Sequence, residues 1–333
     1  MISTEIRRAA VLGCGLIGAS VALALRRTGV HVTLSDRDPY AVRKAERMGA
    51  GTASAHGDRP ADVVIIATPP STVPGVLREA QDRGLGRVYT DVASTKAGIL
   101  AEAEAAGCDV SVYVPGHPMA GGESSGPGAA RADLFAGRRW ALCPHPATRP
   151  EAVRLVTELV ALCGAEHRLI RPDAHDRITA AVSHVPHLMA AALAARFAGA
   201  DETTLALAGQ GLRDVTRIAG GSPDLWCDIL RQNAGPIAEV LDAVVRDLAE
   251  VASALREASS GVAMTSGSPG LSDAAMMSGV SGTSGVIMAS GTPGISGALA
   301  DLLVRGNRGR ALLAGARPAG AAGRQPAAPK AAA

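Results

Sequence analysis

Between Arg8 and about Ile170, short apolar runs alternate with stretches in which apolar residues recur every three or four positions. The runs AAVLG, VTLSD, DVVIIAT, RVYTDV, VSVYVPG and RRWALCP have strand character, and segments such as ASVALALRRTG and PEAVRLVTELVALCG have helical periodicity. That alternation predicts an α/β fold with a doubly wound, mostly parallel sheet under helices. The unbroken apolar run from Val63 to Ala67 fits a strand buried on both faces. After Arg171 the strand pattern stops, and up to about Glu257 the periodicity and the Gly/Pro punctuation predict an all-helical second domain. From Ser259 to about Ser296 the chain turns to Gly, Ser, Ala, Thr and Met, with SG recurring, which predicts a flexible insertion. A short amphipathic piece, ADLLVRGNRGRALL, then leads into a tail with too little apolar mass to order itself. The expected segments are therefore 1–170, 171–257 and a low-complexity 258–333.

A chain of 333 residues accommodates two domains. Aromatics are only 2% of it, so the core must be built from Ala, Val, Leu and Ile, and Trp140 and Trp226 stand out. A net charge of +2 with both signs interspersed gives no footprint for nucleic acid or an anionic membrane, and directs the search to small molecules. The five cysteines are odd in number and scattered without CxxC or metal-ligand spacing, which suits a reducing compartment. With neither a signal-peptide pattern at the start nor an apolar run of about 18 residues, the expected location is the cytoplasm.

The first strand runs into GCGLIG, which places Gly13, Gly15 and Gly18 in GxGxxG spacing directly before a helix. Gly13 serves the tight turn, Gly15 the close approach of a pyrophosphate and Gly18 the packing of helix on sheet, while the helix N-terminus offers free N–H groups and a positive dipole end. Leu16 and Ile17 inside the loop and Thr68 after the DVVIIAT strand are further expected cofactor contacts. Asp36 ends the next strand, where a carboxylate accepts from ribose hydroxyls and repels a 2′-phosphate, so NAD is expected rather than NADP. Arg37 keeps the alternative open, since an arginine there can reach a 2′-phosphate.

The run ending at Val114 leads into PGHPMAGGESSG, which puts His117 in a loop at the sheet edge where open α/β sheets bind ligands. VYTDV ends likewise at Ser94, Thr95 and Lys96. A neutral imidazole takes a proton from a hydroxyl as hydride leaves the same carbon, and Ser94 can hold either partner in line. An ordinary turn histidine bonded to backbone fits His117 too. Further on, HDRITAAVSHVPH carries His175, His184 and His187, with Pro186 expected to kink the helix. The segment lacks HExxH and a carboxylate on the same face, and His175 lies about 120° around the helix from His187, so no metal is expected. Arg213 and Arg217 fall on one helical face ahead of Trp226, and two arginines suit a substrate bearing carboxylates. An Arg213–Asp214 surface pair is the alternative for Arg213.

Taken together, GCGLIG, DVASTK, GHPMAG, HDRITAAVSHVPH and RDVTRIA resemble the prephenate dehydrogenase family, which includes arogenate dehydrogenases, over residues 7 to 257. The resemblance implies a Rossmann-type domain joined to a helical domain through which two copies form a homodimer. It implies oxidative decarboxylation of prephenate to 4-hydroxyphenylpyruvate with NAD, on the route to tyrosine. His117 then resembles the catalytic histidine on the ring hydroxyl and Ser94 the serine holding both. Arg217 resembles the arginine on a substrate carboxylate, His175 and His187 the pocket histidines, and Trp226 the tryptophan beside them, while His184 and Arg213 occupy motif positions of less defined role. The C-terminus shows neither a regulatory αβ domain nor the Pro-Gly-Lys-His-Gly ending of some members.

Two rivals remain at this level. The β-hydroxyacid dehydrogenases share the glycine loop but need a lysine in the helical domain, and Lys96 and Lys330 enclose a stretch without one. A silent NAD-binding sensor is the rival from another class, against which His117, Ser94 and the arginine pair stand as chemistry without a use. Prephenate is expected over arogenate, although no single residue separates an oxo from an amino side chain.

Overall fold

A computed structural model describes residues 4–55, 57–122, 124–265 and 293–315. The bulk of the expected insertion, 266–292, and the tail, 316–333, lie outside the described residues. The elements in chain order begin β1 (Arg8–Leu12), α1 (Leu16–Arg27), β2 (His31–Ser35), α2 (Pro39–Arg47), β3 (Thr52–Ala53), β4 (Ala61–Ile66), α3 (Val73–Asp82), β5 (Gly86–Asp91), α4 (Ala97–Ala105) and β6 (Tyr113–Val114). Their six strands form one all-parallel sheet of order β3-β2-β1-β4-β5-β6. Every residue of β4 is buried, because helices cover both faces. The strand order reverses between β1 and β4, which opens the crevice where such sheets take ligands.

β7 (Gly116–Pro118), β8 (Arg139–Leu142), α5 (Pro150–Leu162) and β9 (Glu166–Leu169) follow. A second sheet of order β7-β8-β9 corrects two expectations. RRWALCP does not join the parallel sheet, because β8 pairs antiparallel with β7 and parallel with β9. VSVYVPG holds only the two-residue β6, since Val110–Val112 form a 3₁₀ turn capped by the Asp109 carboxylate, which accepts from Ser111 N at 2.9 Å.

The helical part comprises α6 (Pro172–Thr179), α7 (Val185–Ala194), α8 (Glu202–Ala206), α9 (Gln210–Thr216), α10 (Pro223–Gln232), α11 (Ala234–Thr265) and α12 (Pro293–Gly315). A π-turn, Ala180–His184, joins α6 to α7. Pro186 explains it: proline lacks the N–H for the preceding turn and its ring crowds the carbonyl there, so the helix widens instead of breaking. The stretch Pro172–Phe197 is long and apolar enough to cross a membrane by length and composition, with mean hydropathy 1.4. Only 33% of its apolar window is buried, and the buried side carries His175, Asp176 and His184, which are hydrogen-bonded to other parts of the chain.

Two compact units result, one running to Val240 and containing both sheets and α1–α10, the other spanning Leu241–Arg317. In the second unit α11 continues past Glu257 to Thr265, and Arg305 of α12 pairs with Asp247 of α11 at 3.1 Å. A helix therefore runs through the expected boundary at 257, since REASSGVAMT contains no proline to stop it.

Candidate active site

The glycine loop joins β1 to α1 at the reversal of strand order. Gly13 has φ +104°, and a Cβ there would lie 2.4 Å from the Ala67 carbonyl oxygen at the end of β4. A Cβ on Gly18 would lie 1.9 Å from the Gly13 carbonyl oxygen. Both positions are closed to any side chain. Gly15, in contrast, would carry a Cβ into open space. The same residue is the N-cap of α1, with no side chain capping the helix and no acidic residue in its first turn. Free amides, a positive dipole end and room above Gly15 fit a pyrophosphate. Leu16 and Ile17 open α1 half-buried, and Thr68, just after β4, accepts a hydrogen bond from Thr72 at 2.9 Å. The Asp36 carboxylate already accepts from Cys14 N at 2.6 Å and Asp38 N at 2.8 Å, so it fixes the glycine loop and keeps one lone pair per oxygen for a ligand. Arg37 beside it is exposed.

His117 sits in a strand, not in the expected loop. It pairs with Ala141 at the centre of β7, an edge strand, which is the place in a sheet that tolerates Pro118. Gly116 contributes closeness and not an unusual turn. Its absent Cβ would meet the Asp91 carbonyl oxygen at 2.8 Å and Trp140 Nε1 at 3.0 Å. Trp140 is wholly buried against Phe135, so this conspicuous tryptophan is the floor beneath β7.

Behind the strand, Asp91 and Lys96, both fully buried, form an ion pair. Asp91 also accepts from Tyr113 Oη at 2.6 Å, Gly116 N at 3.3 Å and Ala93 N at 2.8 Å. One carboxylate thereby ties the β5–α4 loop that carries Ser94 to the start of the His117 strand. Burial pulls the His117 imidazole well below its usual range, and His175, Lys96 and His184 push it the same way, so it is neutral at pH 7.

The ring partner of His117 is His175, with Nδ1 2.9 Å from His175 Nε2. Among the described residues no hydrogen bond joins the half-buried hydroxyl of Ser94 to the imidazole. His175, expected as a pocket histidine, is buried. It is 2% exposed and its other nitrogen, Nδ1, lies 2.8 Å from Asp176 Oδ1, so both ring nitrogens are engaged within the protein. The Asp176 carboxylate in turn accepts from Lys96 N and Ala97 N, each at 2.8 Å.

Asn233 Nδ2 donates to the Asp176 carbonyl at 2.8 Å and to His184 Nδ1 at 3.0 Å. The proton of His184 therefore sits on Nε2, a buried N–H without a partner among the described residues. Burial lowers the His184 pKa to about 4, against an opposing pull from Asp176, so the ring stays neutral. His187 stacks on Trp226 with centroids 3.4 Å apart and planes at 10°. Gly221 makes room for that stack, since a Cβ there would lie 2.2 Å from Trp226 Nε1.

Arg213 and Arg217 do not share one regular helical face. α9 ends at Thr216 and Arg217 opens a 3₁₀ turn to Gly220, which alters the rotation per residue. Both arginines are exposed. Arg213 donates to the Ala208 carbonyl at 3.3 Å, and Asp214 accepts from Gln210 at 2.7 Å.

Asp91, Asp176, Gly221 and Asn233 were not singled out from the sequence. Two of them carried a signal: Asp91 begins DVASTK, five residues from the buried Lys96, and Asp176 adjoins His175.

Two family models match the chain. The model for the prephenate dehydrogenase nucleotide-binding domain matches residues 21–169, and that for the prephenate dehydrogenase dimerization domain matches residues 171–262. The chain is 41% identical over 256 residues to a probable prephenate dehydrogenase, NovF, of Streptomyces niveus, covering 77% of this chain and 70% of that one. The crystal structure of prephenate dehydrogenase from A. aeolicus with hydroxyphenyl propionate and NAD+ superposes with TM-score 0.69 at 26% identity, covering 79% of this chain and 96% of that one. Synechocystis arogenate dehydrogenase superposes with TM-score 0.61 at 27% identity, covering 76% of this chain and 93% of that one.

Proposed function

The chain belongs to the prephenate dehydrogenase family, and from that premise we infer that it catalyses the NAD-dependent oxidative decarboxylation of prephenate to 4-hydroxyphenylpyruvate in tyrosine biosynthesis. NAD, when bound, accepts the hydride from the ring carbon that bears the hydroxyl. Gly13, Gly15, Leu16, Ile17 and Gly18 would hold its pyrophosphate at the α1 N-terminus, Asp36 its ribose, and Thr68 and Arg37 would line the same crevice. The carboxylate of Asp36 favours NAD over NADP by repelling a 2′-phosphate.

His117 carries the chemistry. With Nδ1 committed to His175, Nε2 is the atom left to draw the proton from the ring hydroxyl. The O–H bond breaks toward Nε2, the C–H pair leaves as hydride, and the bond to the ring carboxylate breaks to release carbon dioxide, its electrons completing the aromatic ring as a phenolate that takes the proton back from Nε2 to give 4-hydroxyphenylpyruvate. Ser94 holds the substrate hydroxyl in line. The unpartnered N–H of His184 suits a substrate oxygen. His187 and Trp226 form a flat apolar wall for the ring, and Arg217, with Arg213 beside it, attracts the carboxylates. The two copies of a homodimer join through the helical segment, and the enzyme works in the cytoplasm.

Arogenate is the second reading, supported by the likeness to the Synechocystis arogenate dehydrogenase. Purified protein is given prephenate or arogenate, each with NAD or NADP, and reduced cofactor is followed by absorbance. Fastest turnover with prephenate and NAD is expected. Preference for arogenate with NADP would overturn the substrate and cofactor assignments, and tight NAD binding without turnover of either acid would favour the sensor.

A further inference from the structure

We propose that His175 and Asp176 are positioning residues forming a relay that fixes the tautomer of His117, and that neither contacts substrate. The inference rests on the reading above in which His117 is the base. Asp176 accepts at every bond it makes: Oδ1 from Lys96 N and from His175, Oδ2 from Ala97 N. A carboxylate holding two backbone amides requires the proton of the third bond to sit on His175 Nδ1. Carrying a single proton, on Nδ1, His175 has only a lone pair at Nε2. The 2.9 Å bond to His117 must accordingly carry the His117 Nδ1 proton toward His175. One tautomer of His117 follows, with a hydrogen on Nδ1 and a lone pair on Nε2.

The relay has a second consequence. When Nε2 takes the substrate proton, His117 becomes an imidazolium whose Nδ1–H still points at the His175 lone pair, with the Asp176 charge behind it. No further proton has to move. Burial of the ring opposes that positive charge, and so, when they are charged, do His175, Lys96 and His184. Asp176 counters them from α6 and Asp91 from β5, the latter already committed to Lys96. Through Lys96 N and Ala97 N, Asp176 also fixes the N-terminus of α4, two residues beyond Ser94. The same carboxylate thus orients the base and the loop expected to hold the hydroxyl.

The direct test is the ring ¹⁵N spectrum of histidine-labelled protein near pH 7, which distinguishes Nδ1–H from Nε2–H rings without needing turnover. His117 is expected as Nδ1–H in the wild type and as a mixture or Nε2–H in His175→Leu. An Nε2–H ring for His117 in the wild type overturns the relay whatever the substrate proves to be. Kinetics supply the second readout. His175→Leu should lose about 10- to 100-fold in kcat, part of the roughly 10²–10⁴ that general-base catalysis supplies, with KM for the acid substrate little changed. His175→Gln, whose amide oxygen can accept from His117, should recover part of that loss. Asp176→Asn should move the acid limb of kcat/KM to lower pH, because the imidazolium loses its anion. A raised KM with intact kcat in His175→Leu would make His175 a substrate contact. Equal losses in the Gln and Leu variants, with an unmoved acid limb in Asp176→Asn, would leave packing alone. Should Leu or Asn at these sites prevent folding, the Gln variant and the wild-type spectrum still decide. An inactive wild type contradicts the functional reading and leaves the tautomer measurement standing.

Discussion

The cofactor cradle and the proton-transfer centre are built in opposite ways. The cradle is backbone: three glycines and a helix N-terminus, contiguous over six residues from Gly13 to Gly18. The proton centre is side chain: His117 from β7, His175 and Asp176 from α6, Asp91 and Lys96 around the end of β5, and Asn233 from the turn before α11. A backbone site fails when a side chain is added. A side-chain network fails when one is taken away.

Substitutions in the two regions should therefore separate binding from turnover, and the largest effect belongs to the base. His117→Asn should lower kcat by about 10²–10⁴ while calorimetric binding of NAD and prephenate stays close to wild type. Loss of both affinities alongside turnover would merge the two regions. Next comes Gly18→Ala, whose Cβ would meet the Gly13 carbonyl at 1.9 Å. Overpacking of this kind costs about 1–3 kcal/mol, so NAD affinity should fall by roughly 10- to 100-fold with kcat at saturating NAD largely kept. Gly221→Ala should disturb the His187–Trp226 stack through the 2.2 Å approach to Trp226. A loss of about tenfold in kcat/KM for prephenate is expected, about 1.4 kcal/mol, with NAD affinity untouched. Asp36→Asn should have the smallest effect: a few-fold weaker NAD binding and a narrowed gap to NADP, read from the two cofactor KM values.

The same contrast explains what the sequence revealed. Gly13, Gly15, Gly18 and Asp36 lie in one short stretch whose spacing is dictated by backbone geometry, so the pattern carries its own meaning. The helical run after Arg171 was legible because apolar periodicity needs no partner to be seen. The seat of His117 was not. β7 is three residues long, contains proline and pairs with a strand more than 20 residues later, so neither propensity nor alternation marks it. Nor were the bonds of His175, because its partners come from β7 and from its own neighbour Asp176, contacts that exist only after folding. Gly221 gave no signal, since its lack of a Cβ matters only beneath Trp226.

The central claim is that a neutral, buried His117 removes the proton, and the pH dependence of kcat/KM for prephenate addresses it most directly. Burial and its neighbours hold His117 well below 6.5, and a general base is lost only as it becomes protonated. The account predicts a rate that is level through neutrality and falls only well on the acid side of 6.5, with that limb absent in His117→Asn. An acid limb at or above 6.5, or one that persists unchanged in His117→Asn, would contradict it.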